Sequence, residues 1–194
     1  MQSIGLIGVG SIGQFYTKRL LEAGYPLTVY DIELSRVQFA VQLGAGAAAS
    51  PAEVAERSEV IILSLPGSHA VEQVMEGESG LLGRLRAGQL VIDTGTTRPA
   101  TDIRYARLCA ERGAALVDAP LTWRRLGQII MVGGSAEDYA RAEPVLRCLS
   151  YKLKHVGAIG EGQALKLINQ AVIAGQQAVY AEAVELARWQ GVDP

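Results

Sequence analysis

The sequence predicts an α/β fold: a doubly wound, mostly parallel sheet followed by one long helix. Three observations carry that expectation. Short apolar runs rich in Val, Ile and Leu alternate with amphipathic stretches of ten or so residues, as βαβ units around a sheet buried on both faces require. The first run leads straight into a glycine-rich turn and a helical pattern. The last stretch, Glu161 to Gln190, holds no proline, and beyond its entrance Gly175 is its single glycine.

The strands expected in order are "SIGLIG" at 3–8, "PLTVYD" at 26–31, "EVIILSL" at 59–65, "QLVIDT" at 89–94, "ALVDA" at 115–119, "QIIMVGG" at 128–134 and "KLKHV" at 152–156. Each is strand-sized and rich in branched apolar residues. Helical patterns fill the intervals near 11–23, 33–43, 51–57, 68–75, 99–112 and 136–148. Thr96-Thr97-Arg98-Pro99 reads as a capped entrance to the fifth of these, with proline in its first turn. The terminal pattern would make roughly 45 Å of helix. Its apolar positions, among them Val172, Val179, Val184 and Leu186, cover more than one face, so it calls for partner surfaces on more than one side.

Bulk properties narrow the function classes. With 194 residues, 49% hydrophobic and 20% charged, and a net charge of -2, the chain suits one large domain, or one domain with part of a second. The apolar runs are too short to span a membrane, and "MQSIGLIGVG" carries neither a basic leader nor a small-residue cleavage site, so a cytoplasmic protein is expected. Basic residues are scattered apart from Arg124 and Arg125, which speaks against nucleic acid as a partner. Cys109 and Cys148 lie in helical patterns without a CxxC or a Cys/His cluster, so neither a disulfide framework nor a metal site is expected, and both read as buried core residues. His69 and His155 are isolated and read as structural.

Chemistry enters at Gly8-Val9-Gly10-Ser11-Ile12-Gly13, a G-x-G-x-x-G between a strand and a helix. Gly8 permits the tight turn, Gly10 lets the backbone approach a pyrophosphate, and Gly13 lets helix and strand pack closely. The N–H groups of Ser11 and Ile12 open the helix, where phosphate is favoured. Asp31, 18 residues beyond Gly13, ends the second strand where a carboxylate can accept from ribose hydroxyls. A 2'-phosphate there would meet like charge, and Ile32 and Glu33 follow, so NAD is expected over NADP; Arg36, one turn on, works in the other direction. This is a Rossmann-type dinucleotide-binding domain, expected over 1–159.

Four segments extend the pattern: "GLIGVGSIG" at the start, "ILSLPG" at 62–67, "DTGTTRP" at 93–99, and "GEGQALKLINQAVIAGQQAVYAEAVELARWQGVDP" from 160. Together they resemble the β-hydroxyacid dehydrogenases, the group of 3-hydroxyisobutyrate dehydrogenase and the cofactor domain of 6-phosphogluconate dehydrogenase. The resemblance implies hydride transfer between a nicotinamide cofactor and a small 3-hydroxy acid or its semialdehyde. It places Leu65 and Pro66 along the cofactor groove and Thr96 near the nicotinamide ribose. It makes Lys166 the proton donor or acceptor, with Asn169 one turn along the same face. A lysine partly removed from water beside a nicotinamide cation gives up its proton more readily, which suits acid/base work. The resemblance also implies that 160–194 begins a second, all-helical domain. An unpartnered helix of this length would expose an apolar stripe, which predicts a homodimer through exchanged or paired terminal helices, or poor order at the C-terminus.

The pattern departs at "DAPLTWRRLG", 118–127, where the family has a glycine-rich substrate loop. Thr122 stands for its serine, Trp123 and Arg124 for its glycine pair, and the segment before Gly127 is shorter. Gly95 replaces a usual serine and Gln170 a second asparagine. Two readings stay open. Trp123, Arg124 and Arg125 rebuild the pocket, the guanidinium gripping a carboxylate and the indole narrowing the choice of substrate; Thr122 then positions substrate with Asn169. Alternatively the loop has lost its grip, and the chain is a non-catalytic dinucleotide-binding module or assembly component.

Overall fold

A computed structural model of the chain describes residues 1–124 and 127–194, with the backbone alone at 124. Arg125, and the side chain of Arg124 that was expected in the pocket, therefore lie outside the described residues. The elements run β1 (Ile4–Ile7), α1 (Ser11–Glu22), β2 (Leu27–Tyr30), α2 (Leu34–Gln42), β3 (Gly46–Ala47), α3 (Pro51–Arg57), β4 (Val60–Leu63) and α4 (Ser68–Glu76). They continue with β5 (Leu90–Asp93), α5 (Pro99–Ala110), β6 (Ala115–Asp118), β7 (Leu121–Arg124), β8 (Gly127–Gly133), α6 (Ala136–Leu149), β9 (Lys152–Gly157) and α7 (Glu161–Trp189). The expected helices all form, each within two residues of the expected ends.

The strands join in the order β3-β2-β1-β4-β5-β6-β8-β7, with β9 on β8. From β3 to β6 the pairing is parallel; β8 runs antiparallel to β6 and β7 and parallel to β9. The order turns back between β1 and β4, and a parallel sheet opens a crevice at such a point, outside the carboxyl ends of its strands. Alternation along each strand fills two cores, one on each face. Ile4, Leu6, Ile62, Leu90 and Ile92 pack on one side with Tyr16, Leu20 and Leu146. Ile7, Ile61, Leu63 and Val91 pack on the other with Val54, Val71 and Tyr105.

Two strands depart from the expectation. β3 is a two-residue addition to β2. β7 occupies the place where the family resemblance would put a glycine-rich loop: Leu121 pairs with Ile130, Thr122 with Ile129, Trp123 with Gln128 and Arg124 with Gly127. Leu, Thr and Trp fit a pleated surface, and β8 offers an open ladder beside them, so the segment extends rather than loops.

Smaller corrections concern side chains. The fifth long helix, α5, has Arg98 at its N-cap and Pro99 in its first turn without a side-chain cap, so the Thr96-Thr97 pair does not cap it. Cys109 is buried as expected, and Cys148 is half-buried. In α7 the buried residues are Gly162, Gln163 and Lys166, all near its entrance. Farther on Val172, Val179, Tyr180, Leu186 and Trp189 are exposed, so the other described residues do not supply the partner surfaces that the apolar pattern calls for. Among the described residues no helix is long and apolar enough to cross a membrane.

A Cβ at Gly13 would run into the Gly8 carbonyl oxygen, and the helix cannot retreat without unpacking from β1. Gly13→Ala is therefore expected to lower the unfolding free energy by about 1–3 kcal/mol, read from the urea midpoint at unchanged slope.

Candidate functional site

A cleft of about 880 Å³ opens at the carboxyl edge of the sheet. Gly8, Gly10, Ser11 and Ile12 line it at the turn between β1 and α1. The three glycines differ in what enforces them. Gly8 has a left-handed backbone (φ +94°), and a side chain there would strike the Ser64 carbonyl. Gly13 lies beneath the cleft lining, held to glycine by Gly8. Gly10 has nothing within 4 Å of where its Cβ would be, so no protein neighbour requires it. Its bareness leaves room for an approaching ligand. Gly10 is also the N-cap of α1 and supplies no side-chain cap, which leaves the first-turn N–H groups directed at that space.

Asp31, buried on the cleft wall, accepts from the Val9 N–H through Oδ2 at 2.6 Å and from the Glu33 N–H through Oδ1 at 2.9 Å. It thus ties the glycine turn to the end of β2. Arg36, also on the lining, approaches Asp31 Oδ1 to 3.5 Å. A carboxylate has about four acceptor positions, so capacity for ribose hydroxyls is left. These features fit the adenosine and pyrophosphate portions of NAD: bare backbone and helix N–H groups for phosphate, and a carboxylate for ribose.

At the opposite end the lining includes Leu65, Pro66, Thr96, Leu121, Trp123 and Lys166. Lys166 reaches it from α7 and is only 8% exposed. Its Nζ donates to Gln170 Oε1 at 3.1 Å. Asn169 Nδ2 donates to Thr122 Oγ1 at 3.3 Å, so α7 and β7 are linked beside the cleft. The Trp123 ring meets Phe15 edge-on, with centroids 6.0 Å apart, and stays 54% exposed. Among the described residues no group of His, Cys, Asp and Glu could hold a metal ion. His155 stacks on Tyr139 and pairs with the Gly134 carbonyl, while His69 is exposed.

Beneath this end lies a layer of buried acids that sequence reasoning missed. Asp93 and Asp118 are register partners at the ends of β5 and β6, and Asp102 faces them from α5; all three are fully buried. Asp118 accepts from the Gly160 N–H through Oδ1 and the Gln163 N–H through Oδ2, both at 2.7 Å, and so caps the entrance of α7. Burial nevertheless pushes its pKa up, against those backbone donors. Asp93 accepts from the Gly95 N–H at 2.8 Å, and burial raises its pKa as well. Thr97 Oγ1 lies 3.2 Å from Asp93 Oδ2 and 2.8 Å from Asp102 Oδ2. One hydroxyl hydrogen cannot serve both acids. Burial first, and the Asp93 charge second, push Asp102 up to about 9. Protonated Asp102 can then donate to Thr97 while Thr97 donates to Asp93. The legible signal was that consecutive strands, "LVID" and "ALVD", end in aspartate.

The fold and the cleft define a Rossmann-type dinucleotide-binding domain, with a lysine at the end away from the glycine turn. The model of the family described as the NAD-binding domain of 6-phosphogluconate dehydrogenase matches residues 3–157. The chain belongs to this family, the β-hydroxyacid dehydrogenases. It is 35% identical over 196 aligned residues to mitochondrial 3-hydroxyisobutyrate dehydrogenase of Mus musculus, covering 98% of this chain and 58% of the relative. With 3-hydroxyisobutyrate dehydrogenase of Pseudomonas aeruginosa the identity is 36%, covering 100% and 67%. The structure of Mycobacterium tuberculosis 3-hydroxyisobutyrate dehydrogenase with L-serine superposes with a TM-score of 0.90 at 29% identity, covering 100% of this chain and 67% of that one. The chain therefore spans somewhat more than half the length of its mouse relative.

The acid layer gives a pH dependence of defined sign. In the folded chain Asp102 keeps its proton to about 9, whereas an unfolded aspartate releases it near pH 4. Its contribution to stability is complete below about pH 4 and declines as pH rises toward 9, by on the order of 1 kcal/mol per pH unit. Asp102→Asn is expected to flatten the fall of urea-unfolding stability between pH 5 and 9; a slope equal to that of the parent would contradict the assignment.

Proposed function

We propose that the protein is an NAD-dependent oxidoreductase that interconverts a small 3-hydroxy acid and its aldehyde or ketone. The observation that carries this reading is Lys166, buried on α7 yet lining the same cleft as the glycine turn. NAD, when bound, supplies the hydride acceptor. Lys166 Nζ takes the hydroxyl proton as the carbon–hydrogen bond breaks, and returns it in the reductive direction. Gln170 Oε1, accepting from Nζ, orients the amine. The linked pair Thr122 and Asn169 borders the substrate position, and the carboxylate is held there. Trp123 forms a wall of that pocket. Gly8, Gly10, Ser11 and Ile12 take the pyrophosphate, Asp31 the adenosine ribose, and Leu65, Pro66 and Thr96 the nicotinamide end. Gly13 acts through packing. Asp31 at the ribose position supports NAD over NADP.

We assign residues 1–159 to the cofactor domain and 160–194 to the start of an all-helical one. The exposed apolar positions of α7 support a homodimer through that helix. Free cysteines support a cytoplasmic location. A second reading, a dinucleotide-binding module without catalysis, draws on β7: strand pairing with β8 engages backbone that a glycine-rich loop would offer to a substrate carboxylate.

Lys166→Ala separates these readings. Turnover of a 3-hydroxy acid is expected to disappear while NADH affinity, followed by energy transfer from tryptophan, stays within a few fold; undiminished turnover would remove the lysine from its role. For the helix, sedimentation should give a dimer, and Val179→Glu with Leu186→Glu should shift it toward monomer. A parent chain that sediments as a monomer, with α7 amides strongly protected from exchange, would refute the pairing.

A further inference from the structure

The oxidoreductase reading assigns Lys166 and Thr96 to one reacting end but leaves open what sets their spacing. They belong to different elements, α7 and the segment between β5 and α5. A displacement of about 1 Å at a reacting centre is worth roughly 100-fold in rate.

Gln163 lies between them. Its side chain is fully buried, three residues before Lys166 and therefore one turn earlier on the same helix side. The side-chain amide Oε1 accepts from the Thr97 N–H at 3.1 Å, and Nε2 donates to the Gly95 carbonyl at 3.2 Å. These are the two neighbours of Thr96, so one amide brackets the residue that lines the cleft. Gly95 is itself pressed against the groove, because a Cβ there would lie 2.7 Å from the Leu65 carbonyl oxygen and 3.0 Å from Asp93 Oδ1. On its other side Gln163 is fixed by its own N–H, given to Asp118 Oδ2. The helix turn that carries it is seated backbone to backbone on β8: a Cβ at Gly162 would lie 2.7 Å from both Asp118 Oδ2 and the Met131 carbonyl oxygen. The turn therefore has little freedom to shift.

Resting on the oxidoreductase reading, we propose that Gln163 is a positioning residue that registers the Lys166 amine against Thr96 and the nicotinamide end of the cleft. It touches no substrate. It transmits the placement of α7 to the Gly95–Thr97 segment through two hydrogen bonds that a purely space-filling side chain would not make.

The test uses the full chain and two substitutions. Gln163→Met keeps the volume and loses both bonds; Gln163→Glu keeps an acceptor for the Thr97 N–H and donates to the Gly95 carbonyl only while it holds a proton. For the folded fraction of Gln163→Met, kcat is expected to fall at least 10-fold while NADH affinity stays within threefold, with Gln163→Glu between it and the parent. Independently of turnover, the Lys166 Cε resonance, identified by its absence in Lys166→Arg, is expected to shift in Gln163→Met without any ligand. A merely structural role would lower the thermal midpoint and leave that resonance and kcat unchanged, which would overturn the proposal. If the parent itself neither binds NADH nor turns over, the oxidoreductase reading falls, and the lysine resonance alone decides whether Gln163 sets the position of Lys166.

Discussion

The lysine-bearing end of the cleft depends on one carboxylate, Asp118, at the buried end of β6. Its two oxygens accept from the Gly160 and Gln163 N–H groups and fix where α7 begins. A helix entrance has N–H groups without helical partners, and burial leaves them no water, so a buried acceptor there is strongly favoured. Lys166, Asn169 and Gln170 all take their places from that start. The close approach also explains the glycines around it. A side chain at Gly133 would meet the same carboxylate, and one at Gly162 would meet the β8 backbone.

The other end of the cleft is organised by a second buried aspartate in the same way. Asp31 closes β2 and holds the Val9 N–H inside the glycine turn. In both places a strand ends in an acid that captures backbone N–H groups of an adjacent element. The parallel sheet supplies the setting, since its strand ends gather on one edge and open there at the switch between β1 and β4. One device therefore shapes the glycine turn and the lysine-bearing helix, on either side of a single cleft.

The acid layer beneath the lysine-bearing end carries an electrostatic burden. Asp93, Asp102 and Asp118 are buried together, and burial raises the pKa of each. Mutual repulsion is relieved by a proton on Asp102 and by backbone donors on the other two. Such an arrangement destabilises the fold at high pH yet rigidifies the segment from Gly95 to Thr97, which borders the site.

Much of this molecule is legible in its order of residues. Period and composition mark the helices and seven of the strands, because a sheet buried on both faces needs unbroken apolar runs, and Gly8 and Gly13 mark the glycine turn because its backbone leaves no room for a side chain at either. The resemblance brought Lys166 forward, and α7 does deliver it to the cleft. The extension of Leu121–Arg124 into β7 was not legible, because it depends on an open ladder offered by β8, a partner that local pattern does not specify. Nor were the Thr97 hydroxyl, drawn from a helix cap to two acids, the bracket formed by Gln163, or the exposure of Val172 and Val179. Each depends on groups far apart in the chain: Gln163 meets Gly95 across 68 positions. The sequence by itself determined the helices, seven of the nine described strands and the glycine turn, which are short-range matters of period and backbone freedom. Only the tertiary structure decided how α7 is seated and which buried acid holds a proton, because both are set by contacts and desolvation that exist once the strand ends have come together.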